Sequence, residues 1–359
     1  MAAIAKESAD ISKARSAAPL VSVLISTFNR PDLLKKAIAS VRAQSVVEIE
    51  ILVRDDGGNG GAMGVLAEFE DARIVYRRNP TNVGLAATNI LLYTEARGKY
   101  IAHLDDDDEW EPQFLARMLE PLERHPDVNL VFCNHVVVDR EGRPQWARTS
   151  AGEKKWGRAK LEPGLHQNGR HIAAVARSVP TSHAAVVRRS ALDLSLLDPG
   201  VARAGDMHVA CLAVRQNGLA WFEPSRLSRY RIHEDQMSDL VGPSPFSDVK
   251  FEGLVYCLEY LTCDPLFAEE LGALRRGLSR QRGNWALALL TVGRNGEALD
   301  QARAALKSFS GPRAVGIWFL TGVATKSSVP VGMLIVNGDL ALRRLHDIAL
   351  QVLPAKRPY

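Results

Sequence analysis

The 359-residue sequence lacks an apolar run long enough to cross a membrane. Its best candidate, Ala314–Ala324, ends at the polar residues 325–328, short of the roughly 18 residues that a spanning helix needs. Residues 1–19 include Glu7 and Asp10 and contain no apolar core, so we expect a flexible leader and not a secretory signal. These two absences predict a cytoplasmic protein.

The chain has few cysteines and no strong excess of charge. Its four cysteines show no C-x-x-C spacing, which argues against a zinc site or a disulfide framework and favours buried thiols in a reducing compartment. The net charge is only +4, and no cluster of lysine and arginine with interleaved aromatic residues occurs. We therefore expect no nucleic-acid partner.

Three common phosphate or metal signatures are also missing. The first predicted strand runs into residues 28–31 without the G-x-G-x-x-G turn of dinucleotide-binding folds, and no G-x-x-x-x-G-K sequence occurs. Trp110 stands where a calcium loop requires glycine. The sequence therefore disfavours a dinucleotide dehydrogenase, a P-loop enzyme and an EF-hand, and any nucleotide binds in another way.

What the sequence does contain is a run of four acidic residues at the end of a strand-like segment. The run Lys99–Leu104 is followed at once by Asp105–Asp108. Adjacent carboxylates repel one another, and a bound divalent cation would offset that cost. A solvated acidic loop would have the same composition, but Trp110 and the helical pattern after it favour a fixed strand-to-helix turn. This acidic turn predicts a metal site.

Short β-rich runs alternate with helical patterns from residue 20 to residue 139. Near-continuous apolar strands between helices imply a doubly wound α/β domain with a largely parallel sheet. Ligands of such sheets bind beyond the carboxyl ends of the strands, where the polar groups 27–29, 55–57 and 105–108 all fall. The predicted strands are Leu20–Thr27, Glu48–Arg54, Arg73–Arg77, Lys99–Leu104 and Val128–Val138, and the predicted helices are Pro31–Gln44, Asn82–Arg97 and Pro112–His125.

The pattern changes after residue 139. Residues 140–170 show no regular periodicity and predict a long loop over a site or a disordered link. Three short strands and one helix follow, and they would extend the sheet. We expect the strands at His183–Arg189, Leu219–Phe222 and Leu227–Ile232 and the helix at Asp206–Gln216.

The C-terminal third is almost wholly helical by pattern. It ends in the basic amphipathic stretch Leu340–Leu353, which would suit either a peripheral contact with a membrane surface or a buried packing helix. The predicted organisation is therefore a leader at 1–19, a sheet domain at 20–243 and a helical C-terminal region at 244–359.

Four segments together resemble the family 2 glycosyltransferases, which have the GT-A fold. They are Val21–Arg30, Ile51–Gly57, Asn82–Gly84 and Gly98–Trp110, and the resemblance covers about residues 20–235. It implies a GT-A type of doubly wound, mostly parallel sheet, here followed by the helical C-terminal region. It also implies an enzyme that moves a sugar from a nucleotide-diphosphate donor, expected to be UDP-linked, to an acceptor hydroxyl with inversion.

The resemblance assigns the acidic turn to the metal and the donor. It matches the family's D-x-D motif to Asp105, Asp106 and Asp107, and implies that Asp107 binds the ion while Asp106 faces the ribose or the sugar. The exact role of Asp105 stays open, because four consecutive acids, ending at Asp108, permit a shift by one residue. His233 matches a histidine that completes the metal or diphosphate site. Carboxylate oxygens suit Mn²⁺ or Mg²⁺, which would neutralise charge on the departing diphosphate.

The other expected donor contacts lie on the first strands. The resemblance implies that Asp56 accepts a hydrogen bond from the base, that Thr27 meets the base, and that Asn29 and Asn82 belong to the donor site. A carboxylate at this edge suits the N–H groups of uracil, thymine or guanine. The base therefore stays open at this point.

Two residues are candidates for the acceptor side. Asp206 matches the family's catalytic carboxylate, which would remove the acceptor proton, although a helix start also attracts aspartate as a cap. His183 is a candidate acceptor residue, with a purely structural role as the alternative. The acceptor itself stays open between a saccharide, a lipid-linked molecule, a peptide and a secondary metabolite.

Two departures from the family pattern limit these implications. Residues 84–89 lack an arginine that many members carry and are one residue short, and the processive Q-x-x-R-W motif is missing, so we expect one sugar per encounter. Two other functions remain as alternatives. One is a nucleotidyltransferase, and the other is a non-catalytic nucleotide-binding module whose helical region recruits a partner.

Overall fold

The computed structural model of the chain describes residues 18–233 and 247–324. These residues form two compact units. The first comprises residues 18–199 and 205–233, and the second comprises residues 200–204 and 247–324. Residues 1–17 of the predicted leader, and the stretch Leu340–Leu353 on which the predicted membrane contact depends, lie outside the described residues.

The first unit is built on one nine-stranded sheet with the strand order β3-β2-β1-β4-β8-β6-β9-β5, and β7 pairs with β9. The strands are β1 Val21–Thr27, β2 Ile49–Asp55, β3 Ile74–Arg78, β4 Tyr100–His103, β5 Glu109–Trp110, β6 Leu130–Val138, β7 Gly164–His166, β8 Ala185–Arg188 and β9 Ala220–Arg231. The α-helices between them are α1 Pro31–Arg42, α2 Gly61–Ala67, α3 Leu85–Glu95, α4 Phe114–Arg124, α5 Trp146–Lys155 and α6 Gly205–Val214. Single helical turns lie at Arg158–Lys160, His171–Val175, Arg189–Ala191, Leu194–Leu196 and Pro199–Ala204.

The centre of the sheet is parallel and brings three strand ends to one edge. β1 pairs in parallel with β2 on one side and with β4 on the other, and Thr27 lies opposite Asp55. Every residue of β1, β2 and β4 is buried, because helices cover both faces of this part of the sheet. The residues that follow β1, β2 and β4 therefore share one rim.

The second half of the sheet is mixed. β8 runs antiparallel to both β4 and β6, while β6 and β9 are parallel. The short β5, directly after the acidic turn, pairs antiparallel with β9 through Glu109 and Arg229. The predicted doubly wound, mostly parallel α/β architecture is thus confirmed, with antiparallel additions at β5, β7 and β8.

Two of the predictions for individual elements were wrong. Residues 140–170, predicted to be a loop, contain α5 and β7. Leu219–Phe222 and Leu227–Ile232, predicted as two strands, belong to the single strand β9. The pairing of β6 with β9 shifts register between Cys133 and His135, opposite Pro224, which has no N–H to donate. This irregularity leaves Pro224 outside the pairing, so β9 continues through the proline.

The second unit is helical in its described part. Its α-helices are α7 Ser247–Cys263, α8 Leu271–Thr291, α9 Asn295–Ser308 and α10 Pro312–Ala324, with a short helical turn at Pro265–Glu270. Helices α8 and α9 form a hairpin, and Ala286 and Ala302 pack with Ile317 of α10 in its core. The helical C-terminal region is confirmed for these residues. Among the helices described, none has the length and apolar character needed to cross a membrane.

Candidate active site

The rim formed by the ends of β1 and β2 is held by side chains that bond across it. Asn29, two residues beyond the end of β1, has a left-handed backbone with a φ of 56°. Its Oδ1 accepts a hydrogen bond of 2.8 Å from the backbone N–H of Asn59, in the turn after β2. The Oδ1 of Asp55 accepts from Gly58 in the same turn, at 2.7 Å. The two strand ends are therefore fixed to each other.

Asp56 holds the loop that contains Asn82. Its Oδ1 accepts hydrogen bonds from the side chain of Asn79 at 2.9 Å and from the N–H of Val83 at 2.8 Å, and its Oδ2 accepts from Gly84 at 2.9 Å. The carboxyl group of Asp56 is buried. The Oδ1 of Asn82 also accepts from Gly84, at 3.1 Å. Asp56, which was predicted to contact the base, is therefore bonded to the backbone of the loop that contains Asn82.

The acidic turn carries one arginine that neutralises part of its charge. Arg30 lies 2.6 Å from Asp106 through Nη2 and 2.6 Å from Asp107 through Nη1. Asp106 is completely buried, beside Thr27, which is also buried. Burial raises the pKa of Asp106 to about 7, although the charge of Arg30 acts in the opposite direction. Asp106 therefore points inward, while Asp107 faces the rim.

Three carboxylates of this turn approach one another closely enough to share a cation. Asp105, Asp107 and Asp108 each offer an oxygen, and these oxygens lie within 4.8 Å of one another. Burial, followed by the charges of Asp107 and Asp206, raises the pKa of Asp105 well above its usual value. Burial also raises the pKa of Asp108, and its Oδ2 has no hydrogen-bond partner among the described residues. A set of hard oxygen donors with unbalanced charge fits Mg²⁺ or Mn²⁺.

Asp107 is the acid of the turn whose ionised form is stabilised. Burial raises the pKa of Asp107, but a hydrogen bond from His233 and the charge of Arg30 outweigh this effect and bring the pKa below its usual value. The Nε2 of His233 lies 3.1 Å from Oδ2 of Asp107. His233 is buried directly beside the turn, so the structure brings together the two residues predicted to bind the metal.

Arg231, at the end of β9, fixes the shape of the turn. Its backbone N–H donates to Oδ1 of Asp108 at 2.8 Å, and its Nε donates to the carbonyl of Asp107 at 3.0 Å. Its Nη1 donates to the carbonyls of Asp139 and Arg140 at 3.0 and 2.9 Å. The Nη2 of Arg231 pairs with Glu109. One fully buried guanidinium therefore ties the acidic turn to the loop after β6.

Asp206 lies beside the acidic turn at the start of α6. The hydroxyls of Thr181 and Ser182 donate to its two carboxylate oxygens at 3.1 and 3.2 Å. Burial raises the pKa of Asp206, while these two hydrogen bonds lower it. The charges of Asp206 and Asp105 also add to burial in raising the pKa of Tyr93. Asp206, Asp105 and Tyr93 therefore form one electrostatic neighbourhood.

His183 lies deeper than the other predicted residues. Its ring is 4% exposed, its Nδ1 is 3.1 Å from the hydroxyl of Ser228, and it contacts His135 and Tyr230 with ring centroids 4.7 and 5.0 Å apart. Burial lowers the pKa of His183 to about 3, so the ring is neutral at physiological pH. This environment is that of a packed histidine below the site, and its role toward an acceptor stays a prediction.

The predicted residues fall into two linked groups on one rim. The first group is the acidic turn, with Asp105 and Asp107, together with the neighbouring residues His233 and Asp206. Thr27 is buried beside Asp106 of the same turn. Asp56 and Asn82 line the loop at the end of β2, and Asn29 joins the two strand ends.

Sequence reasoning gave no role to two important residues, Arg30 and Arg231, and left the role of Asp108 in the acidic turn open. A basic residue directly after β1 was a usable signal for Arg30, because a rim rich in acids needs a counter-charge. Arg231 had no comparable signal, since an arginine in an edge-like strand is usually a solvated one.

Comparison with known proteins identifies the sheet unit. The family described as Glycosyl transferase family 2 matches residues 22–195. An uncharacterized glycosyltransferase of Methanocaldococcus jannaschii is 35% identical over 128 residues, which are 34% of this chain and 44% of that protein. This chain therefore matches less than half the length of that relative.

Two solved structures share the fold. The S. aureus TarS 1–349 structure in complex with UDP-GlcNAc has a TM-score of 0.63, with 14% identity over 94% of this chain and 93% of that one. The mannosyltransferase PcManGT from Pyrobaculum calidifontis, in complex with GDP-Man and Mn²⁺, has a TM-score of 0.54, with 18% identity over 93% of this chain and 83% of that one. The sequence match and the fold agree, and residues 22–195 of this chain are a match to glycosyl transferase family 2.

Proposed function

We propose that the protein transfers a single sugar from a nucleotide-diphosphate donor, UDP-linked in our expectation, to an acceptor hydroxyl, with inversion at the anomeric carbon. The observation that carries this proposal is the convergence of Asp105, Asp107 and Asp206 at the rim where β1 and β4 end. The match of residues 22–195 to glycosyl transferase family 2 supports transferase chemistry. The nucleotide sugars in the TarS and PcManGT structures support the class of donor.

Asp206 is the proposed general base. Its ionised carboxylate would take the proton of the acceptor hydroxyl as the oxygen attacks the anomeric carbon. The new C–O bond forms while the bond to the diphosphate breaks, and the nucleoside diphosphate leaves with the electron pair. The hydroxyls of Thr181 and Ser182 each donate to one carboxylate oxygen of Asp206, which leaves acceptor capacity for a proton. These two hydrogen bonds orient the base and favour its ionised form against the effect of burial.

The donor diphosphate would lie over the acidic turn. Asp107, with Asp105, Asp108 and His233, would hold a divalent cation, which supplies charge neutralisation for the departing diphosphate when it is bound. Arg30, which is 24% exposed in its side chain, adds a fixed positive charge at the same place. Mn²⁺ and Mg²⁺ both suit these oxygen donors, and Mn²⁺ also accepts an imidazole nitrogen well.

The nucleoside would lie along the loop fixed by Asp56. Because three protein donors already bond to this carboxylate, we propose that it offers its remaining acceptor capacity to one N–H group of the base. Thr27, Asn29 and Asn82 would complete the contact surface. A single acceptor direction suits uracil or thymine, each of which presents one imide N–H.

A donor screen tests the proposal. The native chain is heated with UDP-, GDP- and dTDP-sugars, each with Mn²⁺ or with EDTA, because a ligand that binds only the folded state raises its melting temperature. Donors that stabilise the chain are then assayed for release of free nucleoside diphosphate. We expect stabilisation by a UDP-sugar only with the metal, and release of UDP. Release of pyrophosphate from a nucleoside triphosphate and a sugar phosphate would instead identify a nucleotidyltransferase.

A further inference from the structure

A buried asparagine bonds to the carboxylate that is proposed to contact the base. Asn79 directly follows β3 and is 3% exposed. Its Nδ2 donates to Oδ1 of Asp56 at 2.9 Å and to the hydroxyl oxygen of Thr88 at 3.0 Å. Its backbone N–H donates to the carbonyl of Asp55 at 2.8 Å, which fixes its main chain beside the end of β2. Asn79 therefore bonds to Asp56 from a fixed, buried position.

An arginine determines which way the amide of Asn79 points. Arg54 of β2 is 9% exposed, and its Nη1 donates to Oδ1 of Asn79 at 2.8 Å. A guanidinium only donates hydrogen bonds and an ionised carboxylate only accepts them. The amide must therefore turn its oxygen to Arg54 and its nitrogen to Asp56, because the opposite orientation would lose both bonds. The charge of Arg54 is itself compensated, since its Nη2 pairs with Glu95 at the end of α3. We name Arg54, Asn79 and Asp56 the Arg54 network.

The Arg54 network makes the two oxygens of Asp56 unequal. In the described part of the chain, Oδ1 accepts two hydrogen bonds, from Asn79 and from the N–H of Val83. Oδ2 accepts one, from the N–H of Gly84. Each carboxylate oxygen has about two acceptor positions. Oδ1 is therefore filled, and the acceptor position that remains belongs to Oδ2.

We propose that Asn79, oriented by Arg54, is a positioning residue that makes the donor site select a base with a ring N–H. This inference rests on the proposed function, since it assumes that Asp56 faces the base. Uracil, thymine and guanine carry a hydrogen on the ring nitrogen of their pairing edge, whereas cytosine and adenine have an unprotonated nitrogen there. An unprotonated nitrogen facing Oδ2 would leave two acceptors opposed and no hydrogen bond between them.

Loss of the Asn79 bond would remove this selection through Asp56. Without the N–H of Asn79, Oδ1 regains an acceptor position and the carboxylate offers acceptors in two directions instead of one. Without the guanidinium of Arg54, the amide of Asn79 can rotate and turn its own oxygen toward Asp56, which opposes two acceptors. Both changes leave the acidic turn untouched, so they act on the base and not on the diphosphate.

The test compares nucleotides that differ at this ring nitrogen. Calorimetric titration of the whole chain in Mn²⁺ measures the Kd of whichever of UDP, dTDP and GDP binds best, and of its partner without the N–H. That partner is CDP for UDP or dTDP, and ADP for GDP. Inorganic pyrophosphate, which has no base, measures the diphosphate site alone.

The variants are Arg54→Met and Asn79→Ser, with Arg54→Lys as the conservative replacement. Arg97→Met is the matched control. Arg97 is also an arginine paired with a glutamate, but its partner Glu50 lies at the other end of β2 from Asp56. The control therefore removes an ion pair on the same strand without changing the Arg54 network.

We expect the native chain to bind the nucleotide with the N–H at least about tenfold more tightly than its partner. Arg54→Met and Asn79→Ser should each weaken that binding by about five- to tenfold and change the binding of the partner by less than about twofold. Arg54→Lys still offers one donor to Asn79 and should keep more of the preference. Pyrophosphate should bind all the variants within about twofold of the native chain, and Arg97→Met should keep the native preference.

Equal losses for the two nucleotides in Arg54→Met and Asn79→Ser would overturn the inference, because they would show a general structural effect. A preference that survives both substitutions, or that is lost equally in Arg97→Met, would also overturn it. These results are separable from failure of the proposed function. A chain that releases nucleoside diphosphate from a sugar donor with Mn²⁺, but keeps its base preference in both variants, retains the function and loses only the inference.

Discussion

At the scale of single residues, the account depends most on Asp206. Asp206 is partly buried at the start of α6 and has hydroxyl donors on both oxygens, an arrangement that suits a base. Replacing it by asparagine preserves the size and one acceptor oxygen but removes the base. We expect Asp206→Asn to lower the rate of sugar transfer by about 10²- to 10⁴-fold, with donor affinity nearly unchanged. Steady-state kinetics and donor titration measure the two effects separately.

Asp193→Asn is the matched control for that prediction. Asp193 likewise lies at the start of a helical turn and accepts hydrogen bonds from the backbone N–H and hydroxyl of Ser195, but it lies on the surface. Its replacement should leave transfer unchanged. Full activity of Asp206→Asn would remove this residue from the mechanism.

Ser182 gives a second prediction, on pH dependence. The pKa of Asp206 is raised by burial above 3.8 and lowered again by the hydroxyls of Thr181 and Ser182. The base works only when ionised, so the rate falls as the pH drops through this pKa. In Ser182→Ala the carboxylate loses one donor, its pKa rises further, and the acid limb of the pH–rate profile should move to higher pH by up to about one unit. A profile that does not move, or that moves to lower pH, would contradict this role of the hydroxyl.

At the scale of elements, the sequence predicted the strands around the rim well and the later segments less well. β1, β2, β4 and β6 are mainly apolar runs bounded by polar residues, and such runs can be recognised without tertiary information. Helix α5 escaped detection, because among its ten residues only Thr149 is buried and no apolar face marks it. β9 was split at Pro224, because a proline usually ends a strand and the irregular pairing with β6 that accommodates it has no local signal in the sequence.

The candidate site was predictable to the extent that it follows from strand ends. Asp56 follows β2 and Asp107 follows β4, and the parallel pairing of both strands with β1 brings these two residues to one rim. Asp206, at the start of α6, lies beside that rim. Arg231 was not predictable in this way, because its role arises from contacts with Asp107 and Asp139, more than 90 positions earlier in the sequence. Long-range hydrogen bonds of this kind leave no local pattern.

Arg231 provides the prediction at this scale. Arg231→Lys retains the charge but loses the fork of donors that ties the acidic turn to the loop after β6. The turn should loosen, so we expect the Mn²⁺ concentration for half-maximal activity to rise about tenfold, with part of the lost activity restored at high Mn²⁺. A metal titration of activity measures both effects.

Arg229→Lys is the control for this prediction, because Arg229 lies two residues earlier on the same strand, is 44% exposed, and binds Glu111 at the surface. It should leave the metal requirement unchanged. An Arg231→Lys variant with the same Mn²⁺ requirement as the native chain would show that the clamp does not position the turn.

At the scale of the whole molecule, we expect the buried carboxylates of the acidic turn to lower the stability of the metal-free protein, because their charges are close together. Asp108 is completely buried near Asp105 and Asp107, and burial together with their charges raises its pKa. Asp108→Asn keeps the acceptor for the N–H of Arg231 and removes one buried charge. Without metal, the free energy of unfolding should therefore increase, by about 1–2 kcal/mol.

The same variant should respond less to metal. Thermal unfolding of the native chain should shift upward with Mn²⁺, because an ion that binds only the folded state stabilises it, and the shift should be smaller in Asp108→Asn. A variant that is less stable than the native chain without metal, with an unchanged response to Mn²⁺, would mean that Asp108 serves packing and not cation binding.

The central claim is that Asp107 and its neighbours hold the cation that binds the donor diphosphate. The most direct measurement is calorimetric titration of the whole chain with UDP, and in parallel with GDP and dTDP, in Mn²⁺ and in EDTA, for the native chain and Asp107→Asn. The account predicts that the best ligand binds the native chain at least about tenfold more tightly in Mn²⁺ than in EDTA, and that Asp107→Asn shows no such difference. Equal affinities of the native chain in Mn²⁺ and in EDTA would contradict it.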